Sequence, residues 1–335
     1  MKFGPVALRD ALGGILAHSV RVSTQKLRKG LVLEASHIAA LAASGVQEVI
    51  VAHLEAGDLD ENTAALQLAQ ALVPDPAGAN LRLTAPFTGR VNLLADTAGV
   101  VELDVAALEQ VNQVHPMITI ATVPSYQQMA AGGMVATIKI ISYGVPKIDL
   151  VRAGGAGRGA LRLLAPQLQS AGLVLTHIPG GPDPAKGIAA VKTRLEALGL
   201  ALSETVEVGH APSDISGGLQ KMNADLLMIL TGSATSDIAD VAPTGVRLAG
   251  GQVHHFGMPV DPGNLLFLGE LDARPVIGLP GCARSPALNG ADWVLSRIAC
   301  GVAVTSSDIA AMGVGGLLKE IPTRPQPRKG PTAKP

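Results

Sequence analysis

The chain has 335 residues, 47% hydrophobic but only 2% aromatic, so its cores must be built from Ala, Leu, Val and Ile. A net charge of −1 gives no electrostatic reason to expect nucleic acid or an anionic membrane surface, both of which need a basic patch, so neither is an expected partner. Two cysteines, Cys282 and Cys300, are too few for a disulfide framework. With no apolar run of about 18 residues and no secretory-type start, the sequence predicts a cytoplasmic protein.

The first elements lie in RKGLVLEASHIAALAASGVQEVIVAHL, residues 28–54. It reads as a short strand, a helix capped near Ser36 and stopped at Gly45, then a strand over VQEVIVA. Between Leu81 and Pro146 short alternating runs such as GRVNLLA and MVATIKIISYGV, broken by Gly and Pro, predict a β-rich region. Residues 1–150 are therefore expected to form a smaller α+β and β-rich amino-terminal region. The cluster AGGAGRGA at 153–160 is read as a linker or the approach to a helix rather than a phosphate loop, with a domain boundary beside it.

After Leu173 the rhythm changes. LVLTHI reads as a buried strand, PAKGIAAVKTRLEALG as a helix stopped by Gly199, SETVEVG as a strand, SDISGGLQKM as a capped helix and ADLLMILTG as another buried strand. RPVI and ALNGADWVLSRIACGV add a strand and a helix. This alternation predicts a mostly parallel sheet covered on both faces over residues 165–305. In such sheets ligands sit beyond the carboxyl ends of the strands. Two loops fall there: residues 231–240, carrying Thr231, Gly232, Ser233, Thr235, Ser236, Asp237 and Asp240, and GLPGCARSP at 278–286. Taken alone, the first loop reads as a helix-capping and turn cluster, because Ser, Thr and Asp satisfy free amides at helix starts; the motifs downstream turn the reading to a ligand loop. The Pro- and Lys/Arg-rich stretch 322–335 is read as a flexible tail or linker.

The order LTGSATSDIAD, GGQVHHFGMPVDPGNLLFLGEL and IGLPGCARS resembles the family of molybdenum-cofactor biosynthesis proteins that includes molybdopterin molybdotransferases (MoeA-like) and molybdopterin adenylyltransferases (MogA-like). In the molybdotransferases the corresponding motifs take the form TGGxSxGxxD, PGKP and GLPGNPVS. The resemblance implies a MogA-like three-layer α/β/α domain with a mostly parallel sheet, and a protein that binds molybdopterin or Mo-molybdopterin. On this matching Thr231, Gly232, Ser233, Thr235, Ser236 and Asp237 fall in the first ligand loop, and Pro280, Gly281, Cys282, Arg284 and Ser285 in the second. Asp240 falls on the family's metal or molybdate carboxylate, which would make it the catalytic residue and a ligand of Mg²⁺. Backbone amides and hydroxyls at a strand-to-helix turn suit an oxyanion such as the terminal phosphate of molybdopterin.

The sequence also departs from the pattern. Ser233 and Asp237 replace two glycines, Cys282 and Ala283 replace the asparagine and proline after GLPG, and Asp261 and Asn264 stand where the family places lysines around PG. The resemblance thus implies either a molybdotransferase-like enzyme acting on molybdate, or a non-catalytic carrier passing cofactor to a nucleotidyltransferase domain or protein. Molybdopterin adenylyl transfer is a further alternative. The closest pattern is the molybdopterin-binding half of bacterial proteins in which such a half precedes a nucleotidyltransferase, and the fold family implies a homo-oligomer. Individual side chains keep two readings: Cys282 as a reactive thiolate or a packed thiol, Arg284 as a phosphate clamp or a solvated cation, and His177 and His210 as ligand contacts or strand-end fillers. Adjacent His254 and His255 would face opposite sides of a strand and cannot share one metal.

Overall fold

The computed structural model describes residues 1–22 and 25–318, so the predicted tail at 322–335 lies outside the described residues. Its secondary structure is mixed α/β with several sheets, and two compact units divide after Leu164.

In the first unit, strand Glu48–His53 is the centre of a three-stranded antiparallel sheet, flanked by Lys2–Ala7 and Ile15–Leu16. Helix Ala35–Ala43 begins with a capping box between Glu34 and His37 and ends before Gly45, whose φ of 77° suits glycine. The segment Leu31–Leu33, predicted as a strand, only touches Ile15 through a single bridge at Val32, while Leu33 is buried in a small core with Leu16, Leu41 and Val51. A second, larger core of the same unit joins helices Glu61–Leu72, Val105–Val114 and Lys147–Ala156 to a four-stranded sheet ordered 118–122, 134–140, 90–95, 81–83.

The glycine cluster at 153–160 is not a linker. Helix Lys147–Ala156 takes up its first half and a turn the rest, and an added Cβ at Gly154 would lie 2.7 Å from Ala71 Cβ. At Gly157 it would lie 2.5 Å from both Leu72 and Val111. These glycines let the chain approach two helices closely, a packing role that a composition reading takes for flexibility.

The second unit is built on a six-stranded sheet ordered 201–208, 170–176, 226–230, 274–278, 267–271, 252–256. The first four strands are parallel, and the last two join antiparallel, so the sheet is mixed where a mostly parallel one is expected. The antiparallel return arises because Asp272 and Ala273, both at positive φ, make a tight turn between Phe267–Leu271 and Arg274–Gly278. Alternation along the strands fills both faces. Leu173, Leu175, Met228, Leu230 and Ile277 pack with Val191, Leu195, Val294 and Leu295 of helices Pro184–Glu196 and Gly290–Ala299. Val174, Leu227, Ile229 and Val276 pack on the other face with Ile215, Leu219 and Val246 of helices Pro212–Leu219 and Val241–Leu248. Because Thr176 pairs with Val208, Leu175 with Leu230, and Ile229 with Gly278, four carboxyl ends meet at one edge.

Candidate functional site

Three loops at that edge are joined by one hydrogen-bonded chain. Thr176, the last residue of its strand, has its hydroxyl 2.7 Å from His210 Nδ1, and His210 Nε2 lies 2.7 Å from Ser233 Oγ. The Gly232 amide donates to Thr176 Oγ1 at 2.8 Å. Thr231 and Thr235 are both buried: the Thr231 hydroxyl donates to the Ser233 carbonyl at 2.6 Å and lies 3.3 Å from Thr235 Oγ1. Their hydroxyls close the loop on itself, leaving Ser233 as the half-exposed hydroxyl of this group. Among the described residues no acceptor meets the backbone N–H of Ser233, Ala234 or Thr235.

The far end of the loop is a helix start. Asp240 caps Val241–Leu248, accepting from the Val241 amide through Oδ1 at 2.7 Å and from the Ser236 amide through Oδ2 at 2.8 Å. Asp237 accepts from the Ala239 amide at 2.7 Å, and Ser236 is exposed. Both oxygens of Asp240 are therefore engaged by its own loop. Among the described residues no three His, Cys, Asp or Glu side chains converge. This donor set does not fit Mg²⁺, which needs several free oxygens in octahedral array.

The second loop is drawn to the first by Arg284, whose Nη2 donates to the Thr231 carbonyl at 2.9 Å. Its Nη1 is buried and, among the described residues, has no partner; it lies against the backbone at Gly187, where an added Cβ would come within 2.7 Å. Burial pulls the Arg284 guanidinium below its ordinary pKa. Arg284 is thus turned inward rather than solvated. Cys282 lies on the exposed outer side of a short 3₁₀ turn, Gly281–Arg284, with Pro280 before it and exposed Ser285 after it. Partial desolvation pushes the Cys282 thiol up, with Asp261 and Asp292 adding to it against its own backbone N–H and Arg194, the reverse of the activation that a helix mouth suggests.

Sequence reasoning missed two residues here. Arg194, on helix Pro184–Glu196, pairs with Asp292 and donates to the carbonyls of Ala190, Ala283, Ser285 and Ala287, which sets the course of the second loop. One arginine on a charged helix face gives no sign of this, because its partners are carbonyls about 90 residues away. Thr176 was hidden in a buried strand, although a threonine at the strand's last position is the available signal. Of the histidines, His177 turns back on the Val208 carbonyl at 3.0 Å, and His255 bonds Ser306 and the Gly257 carbonyl; His254 is exposed.

Chemically, the edge offers a half-exposed hydroxyl, Ser233, loop amides without acceptors among the described residues, and the half-buried cation of Arg284. Such a set suits an oxyanion. A family model described as a domain of unknown function (DUF8806) matches residues 5–53, the three-stranded sheet and helix of the first unit. No curated protein matches the sequence. Among solved structures the chain is similar to a molybdopterin biosynthesis MoeA protein from Pyrococcus horikosii, with 13% identity and a TM-score of 0.32 over 90% of this chain and 75% of that one. It is also similar to a molybdenum cofactor biosynthesis protein from Pyrococcus furiosus, with 12% identity and a TM-score of 0.21 over 84% of this chain and 59% of that one. At such scores the functional reading rests on the residues of the site.

Proposed function

We propose that this chain binds molybdopterin through the loops after Leu230 and Gly278 and acts in molybdenum-cofactor biosynthesis as a carrier. The observation that carries the reading is the junction of the two motif-bearing loops by the Arg284–Thr231 hydrogen bond, beside a half-exposed Ser233 and unpaired amides. The pterin's terminal phosphate is the group these donors would receive. Ser233, Ser236, Pro280, Gly281, Cys282 and Ser285 would line the ligand; Thr231, Gly232, Thr235 and Asp237 would shape the loop. On this reading the second unit is a MogA-like domain, and the recipient of the cofactor is a nucleotidyltransferase domain or protein.

The engaged state of Asp240 supports carriage over catalysis, since both of its oxygens are already held by amides of its own loop and the residue serves as a helix cap. Exposed Asp261 and Asn264, in place of two cations, give an incoming dianion no attraction. The runner-up is a molybdotransferase-like enzyme, favoured by the position of Asp240 in its motif. Reconstitution of a cofactor-free molybdoenzyme separates the two. Purified protein, loaded with molybdopterin and supplied with molybdate, is expected to hold the pterin tightly yet yield no active molybdoenzyme. Robust insertion by the wild type would overturn carriage, and absence of pterin binding by titration would overturn the whole reading. Asp261→Lys with Asn264→Lys is expected to create or enhance insertion if lost cations limit it.

A further inference from the structure

The hydrogen-bond chain Thr176–His210–Ser233 has a direction that atom-by-atom accounting determines. Thr176 is 4% exposed, and its hydroxyl meets two groups, the Gly232 amide and His210 Nδ1. The amide can only donate, so the threonine's own hydrogen must go to Nδ1; a buried hydroxyl hydrogen left without an acceptor is costly. Nδ1 is therefore the unprotonated nitrogen. In neutral imidazole the proton then resides on Nε2, which donates to Ser233 Oγ at 2.7 Å. With that oxygen accepting from the ring, the serine's hydrogen points away from the ring and toward whatever faces the loop.

We infer that His210 is a positioning residue that fixes Ser233 as an outward hydrogen-bond donor, so that the loop accepts an oxyanion and disfavours ligands presenting N–H or O–H donors. The inference deepens the proposed function and rests on its reading that this loop receives the anionic end of the ligand. It also sets aside a Ser–His nucleophile pair, which the spacing alone would suggest. A base must present a lone pair to the serine, and here Nε2 presents a hydrogen. A glycine at position 233, as the resembling motif has, would offer no such hydroxyl. Ser233 and His210 are on this account a device particular to this chain, spanning 23 residues of sequence and two strand ends.

The test combines tautomer measurement with ligand titration in the full chain. Nitrogen-15 NMR of histidine-labelled protein, with the His210 signals assigned by their loss in His210→Gln, is expected to show protonated Nε2 and bare Nδ1. Inorganic phosphate and molybdate, titrated separately, are the probes, and binding of either supports an oxyanion site. Ser233→Ala is expected to weaken the bound probe about tenfold. Thr176→Val, which removes the hydrogen that keeps Nδ1 bare, should weaken it similarly and mix the tautomers, whereas Thr176→Ser should restore both. A protonated Nδ1 in the neutral wild type would overturn the inference even if phosphate binds, leaving the proposed function standing. Probe affinity indifferent to Ser233→Ala would overturn it as well, and that variant keeps the test open if Thr176→Val fails to fold. Failure of molybdopterin itself to bind would count against the function reading, and a phosphate site dependent on Ser233 would still uphold the role of His210.

Discussion

Arg284 donates through Nη2 to the carbonyl oxygen of Thr231 at 2.9 Å, while its buried Nη1 has no partner among the described residues. One bond thus ties the two strand-end loops, and half of the same guanidinium remains uncompensated. Such a cation gains more from a bound anion than from its resting surroundings.

Arg284→Met is accordingly expected to change resting stability little, because loss of one hydrogen bond is offset by removal of a desolvated N–H. Its ligand response should change more. Phosphate should raise the melting temperature of the wild type but not of the variant, and molybdopterin affinity should fall by about 1.5–3 kcal/mol, the range for a hydrogen bond to a charged group. Thermal shift and titration measure the two. A large loss of stability with unchanged affinity would make Arg284 purely structural.

Arg194 predicts the opposite balance. Its side chain and that of Asp292 are only 10% and 13% exposed, and the guanidinium also satisfies four carbonyls on two elements. Arg194→Ala leaves the largely buried Asp292 carboxylate with the Asn289 amide but no cation, and takes the arginine's hydrogen bonds from several carbonyls, so urea denaturation should record a loss of about 3–5 kcal/mol. Arg194→Lys should recover little of it, since a point charge cannot reproduce the planar fork. A loss below about 1 kcal/mol would mean that the second loop holds its course without this anchor.

How far the sequence carried this architecture depends on range. The elements of the second unit follow from local pattern: a buried strand ends near Leu230, one helix ends at Glu196, three residues before Gly199, another ends beside Cys300, and the two loops lie at one edge because parallel strands place them there. Helix Val241–Leu248 was obscured by Pro243 and Gly245, yet Pro243 sits in the first turn, where its missing amide costs nothing. The site was legible as a loop and not as a network. Thr176, Arg194 and the inward turn of Arg284 depend on partners 34 to 98 residues away, which no local periodicity encodes.

Asp225 supplies a pH test of the same unit. Its carboxylate accepts from the Gln169 and Ser170 amides, both at 2.9 Å, and from the Ser170 hydroxyl at 3.0 Å, fastening the start of one central strand to the next. These bonds, the Gln169 amide foremost, lower its pKa in the folded state. A depressed folded pKa stabilises the fold at pH above the unfolded value, about 3.9, and the contribution disappears as pH falls through the folded value. Asp225→Asn should therefore be less stable than wild type at neutral pH, and the gap should narrow on acidification below about pH 4. Chemical denaturation at several pH values checks the slope; parallel curves would remove Asp225 from the acid response.

The last prediction concerns Asp240, where motif and geometry pull apart. As a helix cap bonded to two amides, it should contribute about 1 kcal/mol, so Asp240→Ala is expected to lose about 0.5–2 kcal/mol of stability. Asp240→Asn should lose less, because asparagine caps nearly as well and its carbonyl oxygen can still accept from an amide. If capping is the whole role, both variants should bind molybdopterin within about threefold of wild type, the difference following helix stability rather than charge. If Asp240 instead orients molybdate, the neutral amide removes what the reaction requires, and Asp240→Asn would abolish insertion while remaining almost fully stable. Stability, molybdopterin binding and reconstitution measured on wild type and the same two variants therefore discriminate: a ranking Ala below Asn in stability, with pterin binding unchanged and no insertion even by the wild type, means a cap. Insertion by the wild type that both variants lose, without matching loss of stability, means a carboxylate held ready for chemistry.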